Sequence, residues 1–278
     1  MLLNVYTPIK GGTEMNKYFE ALKINFKTRM AYRFDIMLSM LFTVSKILLA
    51  FVLWGALFES KTMIAGFTFN SMITYYILNS FISQLDQSSG IGWQISSEIR
   101  NGSFSKYIIR PMGIFRYFTA QTAGISAFLL IFNLLAAVIW VFIFGIDFEI
   151  SYDVYSIFAA SVLVLFGLLF MIQLNYFIGI LAFKFLDTGA FIMIKENLVQ
   201  FVTGSLIPLS LLPEGVIRVM TFLPFYYISY LPSMLLLGRN ENEIIPGIAI
   251  LVTWNILFGI INSITYKRLK SVYDGVGI

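Results

Sequence analysis

The chain contains no cysteine and no histidine. That excludes disulfides, thiolate nucleophiles, imidazole metal ligands and histidine acid–base catalysis. Charge is scarce: Asp, Glu, Lys and Arg make up 12% of the 278 residues, about half the share of an ordinary soluble domain. Catalytic signatures are missing as well. There is no GxxxxGK[ST] phosphate loop, no Gly-Lys dipeptide, and no GxGxxG, GxSxG or HExxH. The chain therefore has no standard means of cradling a nucleotide, and no enzyme is legible in it. The first 30 residues lack the basic, apolar and small-residue succession of a cleavable signal.

What is abundant is apolar side chains, at 58% of the sequence with a mean hydropathy of +0.82. They lie in long blocks. Residues 36–58 hold one charge, Lys46, in 23 positions, and residues 119–146 and 154–183 hold none. About 20 apolar residues cross a bilayer as a helix, whereas barrel strands need about ten and alternate. The expectation is an all-α membrane protein with six transmembrane helices, at about 36–58, 67–85, 117–145, 154–183, 189–211 and 244–265. The permease-sized unit 17–265 lies between a flexible tail, 1–16, and a short tail, 266–278.

Residues 17–33 repeat Tyr18, Leu22, Phe26 and Met30 on one face, with Lys17, Glu20, Lys23 and Lys27 elsewhere. That pattern suits a basic helix in the membrane interface, or one packed on protein. Residues 212–240 are apolar but interrupted by Pro213, Pro224 and Pro232. The positive-inside rule decides their reading. Basic residues cluster before the first span and at Lys267, Arg268 and Lys270. Both termini then lie in the cytoplasm, the span count is even, and 212–240 dips in from the outside as a re-entrant hairpin.

The polar segment 86–116 carries Arg100, Lys106, Arg110 and Arg116 and falls on the cytoplasmic side. Within it Ile91, Ile95 and Ile99 recur every four residues, offset from Ser97, Glu98 and Asn101. Asn101-Gly102 then supplies a helix stop. A short amphipathic helix held between two spans is either an ordinary loop helix or a docking element for a cytosolic partner.

The stretch EIRNGSFSKYIIRPM resembles the E-x-x-x-G-x-(six or seven)-P segment of ABC type-2 exporter permeases, the transmembrane subunits of ATP-binding-cassette efflux systems. LIPLSLLPEGVIRVMTFLPFYYISYLPSMLLLG resembles their outer hairpin, with its proline, LPF, YxP and closing glycine. The likeness is greatest to the branch linked with multidrug or viologen export. It implies that Ser97, Glu98, Arg100, Asn101 and Gly102 lie in or beside a coupling helix seated on a cytosolic ATPase. It implies that Pro208, Pro213, Pro224 and Pro232 shape an outer gate. It also implies a second permease subunit, identical or paralogous, surrounding membrane lipid, and no nucleic acid. ATP and magnesium would be held by the partner, with no cofactor in this chain and no enzymatic activity of its own.

Intramembrane charges are functional candidates because their desolvation is costly. Lys46, Lys195 and Glu196 are those of this chain. Lys46 and Glu196 pair structurally, or each lysine snorkels, or the charges line a path in which Glu196 attracts cationic cargo. Asn70, Asn79, Gln173, Asn175, Gln200 and Asn262 line such a path or join helices. Aromatics at Phe222, Phe225, Tyr226, Tyr227 and Tyr230 fit an apolar or cationic cargo. The expected function is outward movement of a small amphipathic or cationic compound, or a peptide, across the cell's inner (plasma) membrane. An ion-coupled transporter or channel using the three charges, and a membrane scaffold recruiting a cytosolic partner, remain alternatives.

Overall fold

A computed structural model describes residues 14–31, 33–110, 112–144, 148–185, 188–205 and 207–272. Most of the expected tail 1–16 and the end of the C-terminal tail lie outside these residues. Among those described there is no strand, only an isolated bridge between Ile64 and Phe67. The helices are α1 (Glu14–Ala31), α2 (Arg33–Phe58), α3 (Phe69–Leu85), α4 (Ser89–Arg100), α5 (Ser105–Ile108) and α6 (Ile114–Phe144). They continue as α7 (Val154–Ile180), α8 (Gly189–Val202), α9 (Glu214–Met220), α10 (Tyr230–Leu236) and α11 (Ile244–Leu269). The chain is an all-α membrane protein.

Four segments are long and apolar enough to cross a membrane: Leu41–Phe58, Ile114–Asn133, Val154–Phe183 and Glu241–Leu269. The pair Glu214–Met220 and Pro224–Leu236 meets at 88° and makes a fifth only if counted as one broken span. The expected spans at 67–85 and 189–211 are shorter helices, α3 with 17 residues and α8 with 14. At 1.5 Å per residue these reach about 26 and 21 Å, less than a hydrocarbon core of about 30 Å.

Each shortfall has a local cause. The first half of α3 is enclosed by protein, with Ser71 through Ile77 all buried. It meets helices rather than lipid, so it needs no uniformly apolar surface. The expected end of α8 near 211 is corrected to Val202. Gly204 takes a left-handed φ of +70°, and the last carbonyls are bonded by other helices instead of a further turn. The Tyr75 hydroxyl donates to the Gly204 carbonyl (2.9 Å), and Asn79 and Ser229 donate to that of Thr203 (3.3 and 3.2 Å). These bonds satisfy carbonyls that a helix end leaves unpaired.

The direction of the chain follows from paired contacts. Gln84 bonds Thr43 (3.2 Å) while Trp54 packs on Tyr76, so α2 and α3 are antiparallel. Asn255 bonds the Phe166 carbonyl and Asn262 that of Gln173, so α7 and α11 run in the same direction. The chain between them must travel the length of the bundle once. α8 makes about half of that return; Ile228 then packs on Gly167, midway along α7, and the end of α10 reaches the start of α7, where the Ser151 N–H donates to the Leu236 carbonyl at 2.7 Å.

The prolines start helices more than they kink them. Pro208, Pro213 and Pro224 each stand at the start of a helical turn, and Pro232 lies in the first turn of α10. In that turn a missing N–H costs no internal hydrogen bond.

The basic amphipathic segment is α1, and it packs along α6. Leu22 approaches Gly124 so closely that a Cβ there would collide with the Leu22 carbonyl. Phe26 meets Phe128 edge-on at 5.3 Å, and the Gly113 N–H donates to the Tyr18 hydroxyl at 2.9 Å. Phe19 and Ile24 remain exposed on its outer side.

Candidate functional site

Two places bring the candidate residues together. The first is the corner made by α4 and α5. α4 buries Ile91, Ile95 and Ile99 against Ile172, Tyr176 and Ile180 of α7. Burying each such side chain stabilises by about 1.5–3 kcal/mol. Two glycines let the helices touch. A Cβ on Gly179 would stand 2.9 Å from that of Ile95, and one on Gly92 would stand 3.3 Å from the Asn175 carbonyl. Polar bonds fix the register: Asn175 donates to Ser88 (2.7 Å) and Thr188 to Ser96 (2.6 Å). α4 is therefore seated on the end of α7.

The stop at Asn101-Gly102 forms as expected. Gly102 has φ +70°, and the N–H groups of Asn101 and Phe104 close onto the carbonyls of Ser97 and Glu98 (both 3.0 Å). The chain then turns back, burying Phe104 against Phe183 and Tyr107 against Phe118.

The five predicted docking residues do not share one role. Asn101 is exposed, and Ser97 and Arg100 are partly so. Gly102 makes the turn. Glu98 faces inward, with its side chain only 15% exposed, and bonds Lys106 at 2.9 Å. The Tyr107 hydroxyl donates to Glu98 at 3.1 Å and accepts from Gln94 at 2.9 Å, while the Gln94 carbonyl accepts from Gln121 of α6 at 3.2 Å. A continuous polar chain thus joins the corner to α6. Burial, and then the Glu98 charge, push the Tyr107 phenol well above its usual value. The sequence reading missed Gln94, Tyr107 and Gln121; the four-residue spacing of Gln94 and Glu98 was the available signal.

The second place is a cleft of about 550 Å³ between α2, α3, α4 and α8. Lys46, Lys195 and Glu196 all line it, and so does Asp86, which the sequence reading passed over. Of the alternatives read from the sequence, the Lys46–Glu196 pair does not form. Glu196 lies 3.8 Å from Lys195, which also bonds Ser89 at 3.3 Å. Among the described residues no carboxylate lies within ion-pair distance of Lys46. Asp86 accepts from both the N–H and the hydroxyl of Ser88, which aims the carboxylate at the start of α4.

Of the uncharged candidates, Asn79, Gln173, Asn175 and Asn262 join helices: Gln173 donates to Asn255 at 2.7 Å and Asn262 to the Gln173 carbonyl at 3.0 Å. Gln200 lines the cleft. Tyr226, Tyr227 and Tyr230 are buried among other rings, and only Phe222 of the hairpin aromatics is largely exposed. The tyrosine faces expected for cargo are taken up by packing.

No curated protein and no solved structure gives a significant match to the chain. The sequence profile of the ABC-2 family transporter proteins matches residues 44–277, which takes in α3 to α11, the α4–α5 corner and the charged residues of the cleft. The chain belongs to the ABC-2 family of transporter proteins, as a multi-pass permease of an ABC-type transport system.

Proposed function

We propose that the chain is the transmembrane subunit of an exporter driven by a separate ATP-binding-cassette ATPase. The ATPase docks on the exposed side of α4 at Ser97, Arg100 and Asn101. The observation that carries this reading is the seating of α4 on α7, which turns a short surface helix into a rigid lever. A push on the corner passes to α7 through Gly92 and Gly179, and to α6 through Glu98, Tyr107, Gln94 and Gln121. Coupling of this kind needs an element with two discrete arrangements that the partner biases. ATP and magnesium belong to the partner subunit. Pro208, Pro213, Pro224 and Pro232 set the short helices of an outer gate. A second permease subunit, identical or paralogous, completes the path. The cargo is a small amphipathic or cationic compound, or a peptide, as in the multidrug- and viologen-linked branch, moved outward across the plasma membrane with both termini cytoplasmic.

The test is co-purification. A C-terminally tagged chain extracted in mild detergent should bring down a stoichiometric chain with a Walker A motif. Arg100→Glu with Asn101→Arg should release it while leaving permease abundance intact. Isolation of the chain with no nucleotide-binding partner would sink the proposal. It would favour an ion-coupled transporter, a reading supported by the charges gathered around Asp86, Lys195 and Glu196.

A further inference from the structure

The cleft between α2 and α8 is polar and divided by charge. On the α2 wall stands Lys46, with no carboxylate of the described residues within ion-pair distance. A second wall, built by the end of α3, the start of α4 and α8, carries Asp86, Glu196 and Lys195. Those three carry one net negative charge between them. Hydroxyls and amides make up much of the remaining lining, among them Thr43, Ser80, Ser83, Gln84 and Gln200. The charges lining the cleft sum to zero, one positive on α2 and one net negative on the other elements.

Neither wall relieves the other. Lys46 and Glu196 face one cavity but lie beyond ion-pair distance, and Lys195 sits closer to Glu196 and Ser89. A lone ammonium within a transmembrane helix is costly, and such a charge is kept where water, a partner charge or a ligand meets it. Roughly 300–1,000 Å³ is the size range of small-molecule sites, and about 550 Å³ falls within it.

We infer that this cleft binds a small zwitterion of the peptide type, its anionic group at Lys46 and its cationic group between Asp86 and Glu196. A purely cationic cargo would leave Lys46 unpaired and repelling it. A purely anionic one would face the two carboxylates. A zwitterion pairs with both walls, and the hydroxyls and amides of the lining serve its amide groups. Opposite-charge placement fixes orientation and rejects singly charged analogues more than it adds raw affinity. The inference rests on the reading of the chain as an export permease and narrows that reading's cargo.

The experiment uses the full chain with whatever subunits co-purify, reconstituted in lipid nanodiscs. Three probes of one shape are compared by equilibrium binding: leucyl-leucine, its N-acetylated form, which is anionic, and its methyl ester, which is cationic. The zwitterion should bind at least about tenfold more tightly than either analogue. Lys46→Gln should bring zwitterion affinity down to that of the ester, and Glu196→Gln should bring it down to that of the acetylated form. Lys46→Arg should retain binding, which separates lost charge from lost folding. Equal binding of the three probes, no binding of any, preference for a singly charged form, or indifference to both substitutions would each overturn the inference. None of these outcomes bears on whether an ATPase co-purifies, so the two proposals fail separately.

Discussion

Gly179 shows how one missing side chain determines where a helix lies. Its α-carbon surface is the seat of Ile95, and a Cβ would close to 2.9 Å of that side chain's own Cβ. Gly179→Val should lift α4 from α7 at a cost of about 1–3 kcal/mol, typical of overpacking. The expected readouts are a lower unfolding temperature and weaker ATPase co-purification. Gly102 acts through its backbone instead. An alanine held at φ +70° costs about 1–2 kcal/mol, so Gly102→Ala should fray the corner while leaving the spans intact, visible as faster amide exchange over 98–107. These two glycines differ in legibility. Gly102 follows an asparagine at the end of an amphipathic period and could be read from sequence. Gly179 sits in an unbroken apolar run, and nothing local marks it as a contact point.

At the scale of elements, the α4–α5 corner is held by a tyrosine that serves as both donor and acceptor. Tyr107→Phe removes the hydroxyl between Glu98 and Gln94. Leaving the half-buried carboxylate short of a donor should cost about 1–3 kcal/mol. Export should fall more than protein abundance if the chain to Gln121 transmits motion; equal losses would make it structural support alone. The bond's pH dependence has a definite sign. The phenol is raised in the folded state, so its contribution is complete below the ordinary tyrosine value of about 10. It is lost only as pH rises through the higher folded value. A tyrosinate absorbance titration should therefore show one fewer phenol resisting ionisation in Tyr107→Phe than in the wild type. The partnership of Gln94 and Glu98 within α4 is local and was readable from spacing; that of Gln94 with Gln121 crosses 27 residues and was not.

For the whole molecule, the absence of cysteine makes topology directly testable. Ser103 is exposed at the α4–α5 turn, and Tyr152 is 91% exposed before α7. Under the proposed topology, with both termini cytoplasmic, Tyr152→Cys should react with a membrane-impermeant maleimide on intact cells. Ser103→Cys should react only after the cells are opened. Reversal of that pattern would invert the protein and move the proposed docking corner outside. The apolar side chains left exposed along α2, such as Leu49 and Val52 at 71% and 69%, form a patch more continuous than water tolerates, as a helix that crosses a membrane requires.

Composition alone made this an all-α membrane protein, because long uncharged runs have no other stable home. Local order gave the amphipathic helices, the stop at Gly102 and a likeness to ABC-2 permeases that the family match extends over residues 44–277. Those properties depend on neighbours within a turn or two, or on the sum over a span. Tertiary structure decided the rest. It buried α3, ended α8 at Val202 through hydroxyl and amide donors from other helices, laid α1 along α6, and turned Glu98 inward. It also separated Lys46 from Glu196 and brought Asp86 into the same cleft. Each of those outcomes joins residues tens of positions apart, where what a side chain meets depends on how the helices are packed and not on the residues beside it in the chain.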